Sequence, residues 1–292
     1  MSRPAARYHC AVPRPAAYAL ALVLTLSSSF VPPVSGDPQP DLASALDQAA
    51  AGVPGMVSVV VVDVDSGYVY ERRADERVEA ASLFKLFIMA ALYRRALDDP
   101  QLLEVIVPVS RPRLTAGQVD YVLEPVAVRE ALEEMIDWSD NEATAALVEL
   151  LGTDEVNATI ASLGLRDSVV RSGEATGNST SARDIGRFLT LLARREVVAP
   201  EASDAMTWLL LRQGINDRLS LGMPKDALFA HKTGNSAGTF HDAGIAWTAW
   251  GERVLVVLTD GVAPPDARAL MKDLGYWAYV LPAPVAAARS GR

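Results

Sequence analysis

Ser82 and Lys85 stand three residues apart at the head of the stretch Ala80–Leu92, and Lys85 is the only charged residue from Ala80 to Tyr93. On a helix that spacing puts both side chains on one face, within reach of each other. Leu83, Phe84, Leu86, Phe87, Ile88, Met89 and Leu92 cover every side of the helical wheel, so the helix is predicted to be buried all round. An ammonium buried there is costly unless it finds polar partners or sheds its proton easily. A lysine with a lowered pKa beside a serine hydroxyl is a nucleophile with its base. Ser82 also lies near the helix start, where its backbone N–H lacks an intrahelical partner and can serve an oxyanion. The competing reading is a core helix whose lysine snorkels to the surface.

Two more short patterns carry polar groups suited to the same chemistry. Ser139-Asp140-Asn141 falls at the break between two helical patterns, and Lys232-Thr233-Gly234 ends a predicted strand. Alone, the first reads as a helix cap and the second as a solvated strand end. Lysine usage gives them weight. The chain has four lysines (Lys85, Lys225, Lys232, Lys272) against 23 arginines (27 − 4), yet two of the four lie in these patterns. Arginine cannot give up its proton; a lysine amine can.

These residues need elements to hold them. A helix is predicted over Asp41–Ala51, a strand over Met56–Val64, a turn at Asp65-Ser66-Gly67 and a returning strand over Tyr68–Arg72. From about Leu103 to Leu221 the patterns read as helical: Val126–Ile136, Glu142–Leu151, Glu155–Leu163, Ser181–Arg194 and Pro200–Arg212. Strands return at Ala227–Lys232, Gly244–Trp250 and Arg253–Leu258, the last two joined across Gly251, before a closing helix from about Asp266 to Val280. The expected fold is α/β (α+β): an antiparallel sheet flanked by N- and C-terminal helices, with an inserted all-helical subdomain. The boundaries are an α/β part over 41–98 and 222–285 and a helical insert over 99–221, within a single domain 37–292.

Residues 1–36 read as a secretory signal peptide: Arg3, Arg7 and Arg14 precede the apolar run Ala16–Val31, and Val34-Ser35-Gly36 offers small residues for cleavage. An uncleaved anchor is the alternative. The protein is therefore expected to be secreted, or extracytoplasmic, with no membrane contact after cleavage. The single cysteine, Cys10, precedes the apolar run, so the mature chain is expected to have no disulfide and no thiolate metal site. Removing three arginines takes the formal charge from −9 to −12, which excludes nucleic acid as a partner.

With its three motifs in this order, the chain resembles the penicillin-recognising serine hydrolases, and most closely the class A β-lactamase family, over roughly Asp41–Val280. The resemblance implies Ser82 as the acylated nucleophile, Lys85 as its base and Ser139 as the proton relay to the leaving nitrogen. It implies Asn141 as the contact to the substrate's side-chain amide. Lys232, Thr233 and Gly234 would form the carboxylate-binding strand, and the N–H groups of Ser82 and Asn235 the oxyanion hole. Arg218, fourteen residues before Lys232 (232 − 218), matches an arginine that assists with the carboxylate in some members. One departure stands out. The stretch Arg166–Ser179 is shorter than the family's loop and lacks its Glu-x-x-Leu-Asn motif, whose glutamate activates the deacylating water. Glu174 is its sole glutamate and reads as a solvated loop acid between Gly173 and Gly177. Lys85 is accordingly expected to serve deacylation as well, with acyl-enzyme accumulating.

Other patterns are set aside. Gly234-Asn235-Ser236-Ala237-Gly238 matches a nucleophile elbow, but a strand follows it and no histidine comes after His241. His231 neighbours Lys232 on a strand and so faces the other way. No metal and no organic cofactor are expected. The expected activity is β-lactam hydrolysis by a monomer. The alternatives are a D,D-peptidase or esterase acting on D-Ala-D-Ala-like acyl donors, and a slowly deacylating β-lactam-binding protein.

Overall fold

The β-branched run that begins at Met56 becomes a strand buried on both faces. The computed structural model describes residues 40–284 apart from 116 and 175; the expected signal peptide lies outside the described residues. Helix α1 (Leu42–Ala50) is capped by Asp41, whose carboxylate accepts the Ser44 N–H at 2.9 Å. Strand β1 (Met56–Asp63) turns where Asp63 accepts the Ser66 N–H, and returns as β2 (Val69–Arg72). A two-residue strand, β3 (Val78–Glu79), leads into a 3-10 turn, Ala81–Phe84, and helix α2 (Lys85–Asp98). Every residue from Ala80 to Leu92 is buried.

The insert follows, and it is not wholly helical. Strands β4 (Ile106–Thr115) and β5 (Gln118–Ala127) form a hairpin paired from Ile106–Ala127 to Thr115–Gln118. Pro108, Pro112 and Pro125 hide it from a pattern reading, because proline in a run argues against a strand. A two-stranded ribbon has only edges, where proline is tolerated. Its apolar residues also point outward beyond the base: Leu114, Val119, Tyr121 and Leu123 are exposed, while Val107, Val109 and Val126 are buried. The helices are α3 (Val128–Asp137), α4 (Asn141–Leu151), α5 (Thr153–Ser162), α6 (Ala182–Ala193) and α7 (Pro200–Leu211), with β6 (Ser179–Thr180) pairing back to β3.

The chain then completes the sheet with β7 (Phe229–Ser236), β8 (Thr239–Thr248) and β9 (Gly251–Asp260), and closes with α8 (Pro264–Val280). The first of these runs past Gly234 to Ser236, rather than ending at the Lys-Thr-Gly motif. All neighbours in the five-stranded order β2-β1-β9-β8-β7 are antiparallel. Period-two alternation divides the core: Val57, Val59, Val61, Leu255 and Val257 pack with Leu46 and Leu274 of the terminal helices. Val60, Val62, Val254 and Val256 face the other way, onto Phe87, Ile88 and Phe188.

Arg253, fully buried on β9, ties the layers together. It reaches Asp63 on β1 at 2.8 Å and the carbonyls of Ala278 and Leu281 at the end of α8 at 2.7 and 2.6 Å. Burial alone would raise the Asp63 pKa, but the hydrogen bonds from Arg253 and Ser66 outweigh it and hold the carboxyl below its ordinary value. Removing one member of a buried pair strands the other. Asp63→Ala should lower the unfolding free energy by about 3–5 kcal/mol in urea titration at neutral pH. In the wild type this contribution is present above the ordinary carboxylate pKa and fades as pH falls through the depressed one. Unchanged urea stability of Asp63→Ala would refute the clamp.

Candidate active site

Ser82 sits on the 3-10 turn, not on the first turn of α2, and the residue before it is bent backwards: Ala81 has φ +43°. A non-glycine residue there is strained by about 1–3 kcal/mol and persists only where its surroundings impose it. Packing imposes it here. Leu83 lies against β7 so closely that a Cβ added to Gly234 would stand 3.3 Å from the Leu83 side chain. The turn leaves Ser82 nearly buried, at 7% exposure, and Lys85 at zero.

Lys85 does not snorkel. Its ammonium donates to the Ser139 carbonyl at 2.7 Å, the Ser139 hydroxyl at 3.1 Å and Asn141 Oδ1 at 2.8 Å. All three protons are thus taken by the Ser139–Asn141 turn rather than by Ser82. Burial pushes the Lys85 pKa down from 10.5 to about 8, partly opposed by the charges of Asp140 and Glu142. Two of the three acceptors can only accept. The third is a hydroxyl, which can reverse and donate to a neutral amine. The same contacts orient Asn141: Lys85 takes its Oδ1, so Nδ2 is left to donate.

The Ser139–Asn141 turn is itself strained and braced. Ser139 has φ +60°, and Asp140 caps α4 by accepting the Ala143 N–H at 2.7 Å. Arg111, on the hairpin, holds Asp140 at 3.2 Å and also pairs with Glu134 and Glu124. Nothing in the local sequence singles out Arg111, because its partners lie 29 and fewer residues away across an unforeseen strand. Trp138 is 69% exposed beside this turn.

Lys232, Thr233 and Gly234 lie along β7, the last strand of the sheet, whose outer edge has no strand beside it among the described residues. Lys232 is fully buried; burial, and then the positive charges of Lys85 and Arg218, push its pKa well below the ordinary lysine value. Arg218 is buried too. It donates to the Gly234 and His241 carbonyls, to Asp217 and, at 3.4 Å, to Asn235 Oδ1, and it lies 3.7 Å above the Phe240 ring. Most of its donors are therefore engaged in holding β7 and β8. The 3-10 turn that follows it, Leu219–Gly222, can rest on α8 because both contact points are glycines, Gly222 and Gly275. His231, buried behind the strand, bonds Asp242 and Asn216.

The loop Arg166–Ser179 is fastened at its end. Asn178, 1% exposed, accepts the Arg171 N–H at 2.8 Å and donates to the Glu174 carbonyl at 2.6 Å. Its own carbonyl accepts the Ala80 N–H at 2.8 Å, two residues from Ser82. Gly173 passes so close to α4 that an added Cβ would stand 3.0 Å from Ala145 Cα. The loop thus spans from α4 to the nucleophile turn, and the freedom expected of Glu174 between two glycines is removed at its backbone. Its side chain is exposed. Glu174 and Asn178 also match the first and last positions of Glu-x-x-Leu-Asn, with Gly177 in place of leucine.

Asn178→Ala should remove the two side-chain anchors, leaving the Arg171 N–H and the Glu174 carbonyl without that partner while the backbone bond to Ala80 stays. Amide exchange at 171–178 should accelerate by at least about tenfold, with a global loss of about 1–3 kcal/mol. Exchange in that segment matching the wild type would show the loop is held by something else.

Known proteins resemble this chain in sequence and in fold. The model of the beta-lactamase enzyme family matches residues 41–280. A β-lactamase from Streptomyces fradiae is 30% identical over 229 residues, 71% of this chain and 74% of that protein. Among solved structures, a β-lactamase from Sphaerobacter thermophilus superimposes with a TM-score of 0.71 at 26% identity, covering 81% of this chain and 95% of that one. A point variant of PBP-A, in an acyl-enzyme complex with penicillin G, does so with a TM-score of 0.72 at 25% identity, covering 83% and 97%.

Proposed function

This chain belongs to the beta-lactamase enzyme family, and on that premise we propose that it works as a class A enzyme, opening β-lactam amides through an acyl-enzyme on Ser82. The observation that carries the proposal is Lys85: a buried amine whose pKa is brought to about 8, one helical step from a serine. Neutral Lys85 takes the Ser82 proton as its oxygen attacks the lactam carbonyl. The N–H groups of Ser82 and Asn235 receive the oxyanion. Ser139, already bonded to Lys85, passes the proton to the departing nitrogen, and the C–N bond breaks. Asn141 Nδ2 holds the acyl amide, while Lys232 and Thr233, seated on the strand edge that Arg218 fixes, hold the substrate carboxylate.

Deacylation needs a water and a base on the far face of the ester. The fastened loop favours Glu174 over Lys85 for that role, because Asn178 ties it to the residue two before Ser82. The exposure of Glu174 favours the second reading, an enzyme that acylates quickly and releases slowly, as a D,D-peptidase or β-lactam-binding protein would. The arginine-flanked apolar run ahead of Asp37 supports an extracytoplasmic place of work, and a monomer suffices for the site as described.

Stopped-flow acylation and intact-mass detection of the acyl-enzyme test all of this. Ser82→Ala should lose covalent labelling by a penicillin while keeping its circular dichroism; labelling that persists would end the assignment. In the wild type, the second-order acylation rate constant, which reports the free enzyme, should rise with pH about tenfold per unit below 8 and level off above it, since the neutral amine is the active form. A rate independent of pH from about 6 to 9 would remove Lys85 as the base. Glu174→Gln should acylate normally and deacylate at least about a hundredfold more slowly. Unaltered turnover in that variant would assign both steps to Lys85.

A further inference from the structure

Glu79 stands three residues before Ser82, at the end of β3, and nothing in the acylation chemistry uses it. Its position is fixed from three sides. It pairs with Ser179, the last residue of the loop, across the β3–β6 ladder. Its carbonyl accepts from His241 Nε2 at 2.9 Å. That ring is fully buried, and its Nδ1 accepts the Thr259 N–H at 3.1 Å, so the proton is on Nε2. One carboxylate oxygen accepts from the Ser236 hydroxyl at 3.1 Å. Among the described residues no arginine or lysine lies in salt-bridge range of it, although the chain spends arginines freely on other acids. A half-buried carboxylate without a counter-ion is thus held beside the site.

The direction of β7 decides what this group would meet. Ser236 shares a strand face with Lys232 and Gly234, the face on which Leu83 of the nucleophile turn packs. A substrate whose carboxylate sits at Lys232 and Thr233, and whose carbonyl oxygen sits at Asn235, runs along the strand toward Ser236. Its acyl substituent therefore leaves the oxyanion hole in the direction of Ser236 and Glu79. The cation that touches Asn235 is Arg218, whose other donors are taken by Asp217 and the Gly234 and His241 carbonyls, and Arg77, two residues before Glu79, is already paired with Asp167.

We propose that Glu79, positioned by Ser236 and His241, makes the acyl-side-chain subsite anionic and selects β-lactams whose side chain carries a protonated amine. The proposal rests on Ser82 being the acylated residue, and its test separates the two. Acylation efficiency is measured for penicillin G and for its α-amino counterpart, at about pH 6, where an α-amine is protonated. The ratio of amine to neutral compound should be about tenfold higher in the wild type than in Glu79→Gln, with Glu79→Asp between them, the size expected for opposite charges several ångströms apart near a surface. In the wild type the ratio should also fall as salt is raised from about 0.01 to 1 M, because exposed charges are screened. Equal ratios in wild type and Glu79→Gln, or, should that variant not fold, a wild-type ratio indifferent to salt, would overturn the proposal. If neither penicillin labels Ser82, the hydrolase reading fails and this inference with it; labelling by both at an unaltered ratio defeats the inference alone.

Discussion

The structure depends on keeping one lysine amine out of water without leaving it unpaired. Lys85 is fully buried among Leu83, Phe84, Leu86 and Phe87, and an ammonium stranded there would be among the most expensive groups a protein can hold. Three oxygens from a single turn solve the problem, and their chemistry is uneven. The Ser139 carbonyl and Asn141 Oδ1 only accept, so they anchor two N–H bonds in either protonation state. The Ser139 hydroxyl gives or takes. The amine can therefore exchange its charge without its surroundings repacking, which is what a base in a rigid site requires.

That turn must be delivered to the amine, and the rest of the insert is arranged around this need. Two backbone strains, at Ala81 and Ser139, lie on either side of the same contact. Neither would persist in an isolated segment. Leu83 pressed on Gly234 holds the first; the Asp140 cap and Arg111 hold the second. The hairpin, which carries no motif, thus supplies the brace for a motif 29 residues further along the chain. The sheet makes the third side, with β7 left as an edge and stiffened from behind by Arg218 instead of by another strand.

Much of this was legible in the sequence because the informative residues break a local rule. A lone lysine in a wholly apolar helix, and lysine used where the chain elsewhere uses arginine, are departures that a pattern can register. The helices of the insert and the strands of the sheet followed from periodicity, since each has one buried face. The hairpin did not follow, because its outward face is apolar and its prolines imitate a loop. The backward bends at Ala81 and Ser139 did not follow either: alanine and serine carry no mark of a positive φ, whereas glycine would have. Glu174 was legible as a residue but not as a position. What fixes it is a hydrogen bond between Asn178 and Ala80, 98 residues apart (178 − 80), and no local pattern reports a contact of that range.

Lys85 and Arg218 bring positive charge to the buried Lys232, whose pKa is lowered by burial first, by Lys85 next and then by Arg218. Two amines coupled in this way titrate as a pair, so the one that keeps its proton helps the other to lose it. Within the protein alone the three oxygens around Lys85 favour the ammonium there. A carboxylate arriving at Lys232 and Thr233 would shift this balance, since an opposite charge within a few ångströms favours the ammonium on Lys232. With Lys232 held positive, Lys85 is pressed toward the neutral form at the moment a substrate is in place. On this argument the carboxylate is more than a handle for binding: its charge sets the protonation pattern that the attack of Ser82 requires. An acyl donor without it would bind more weakly and would also meet a Lys85 less often in the neutral form that can take the Ser82 proton.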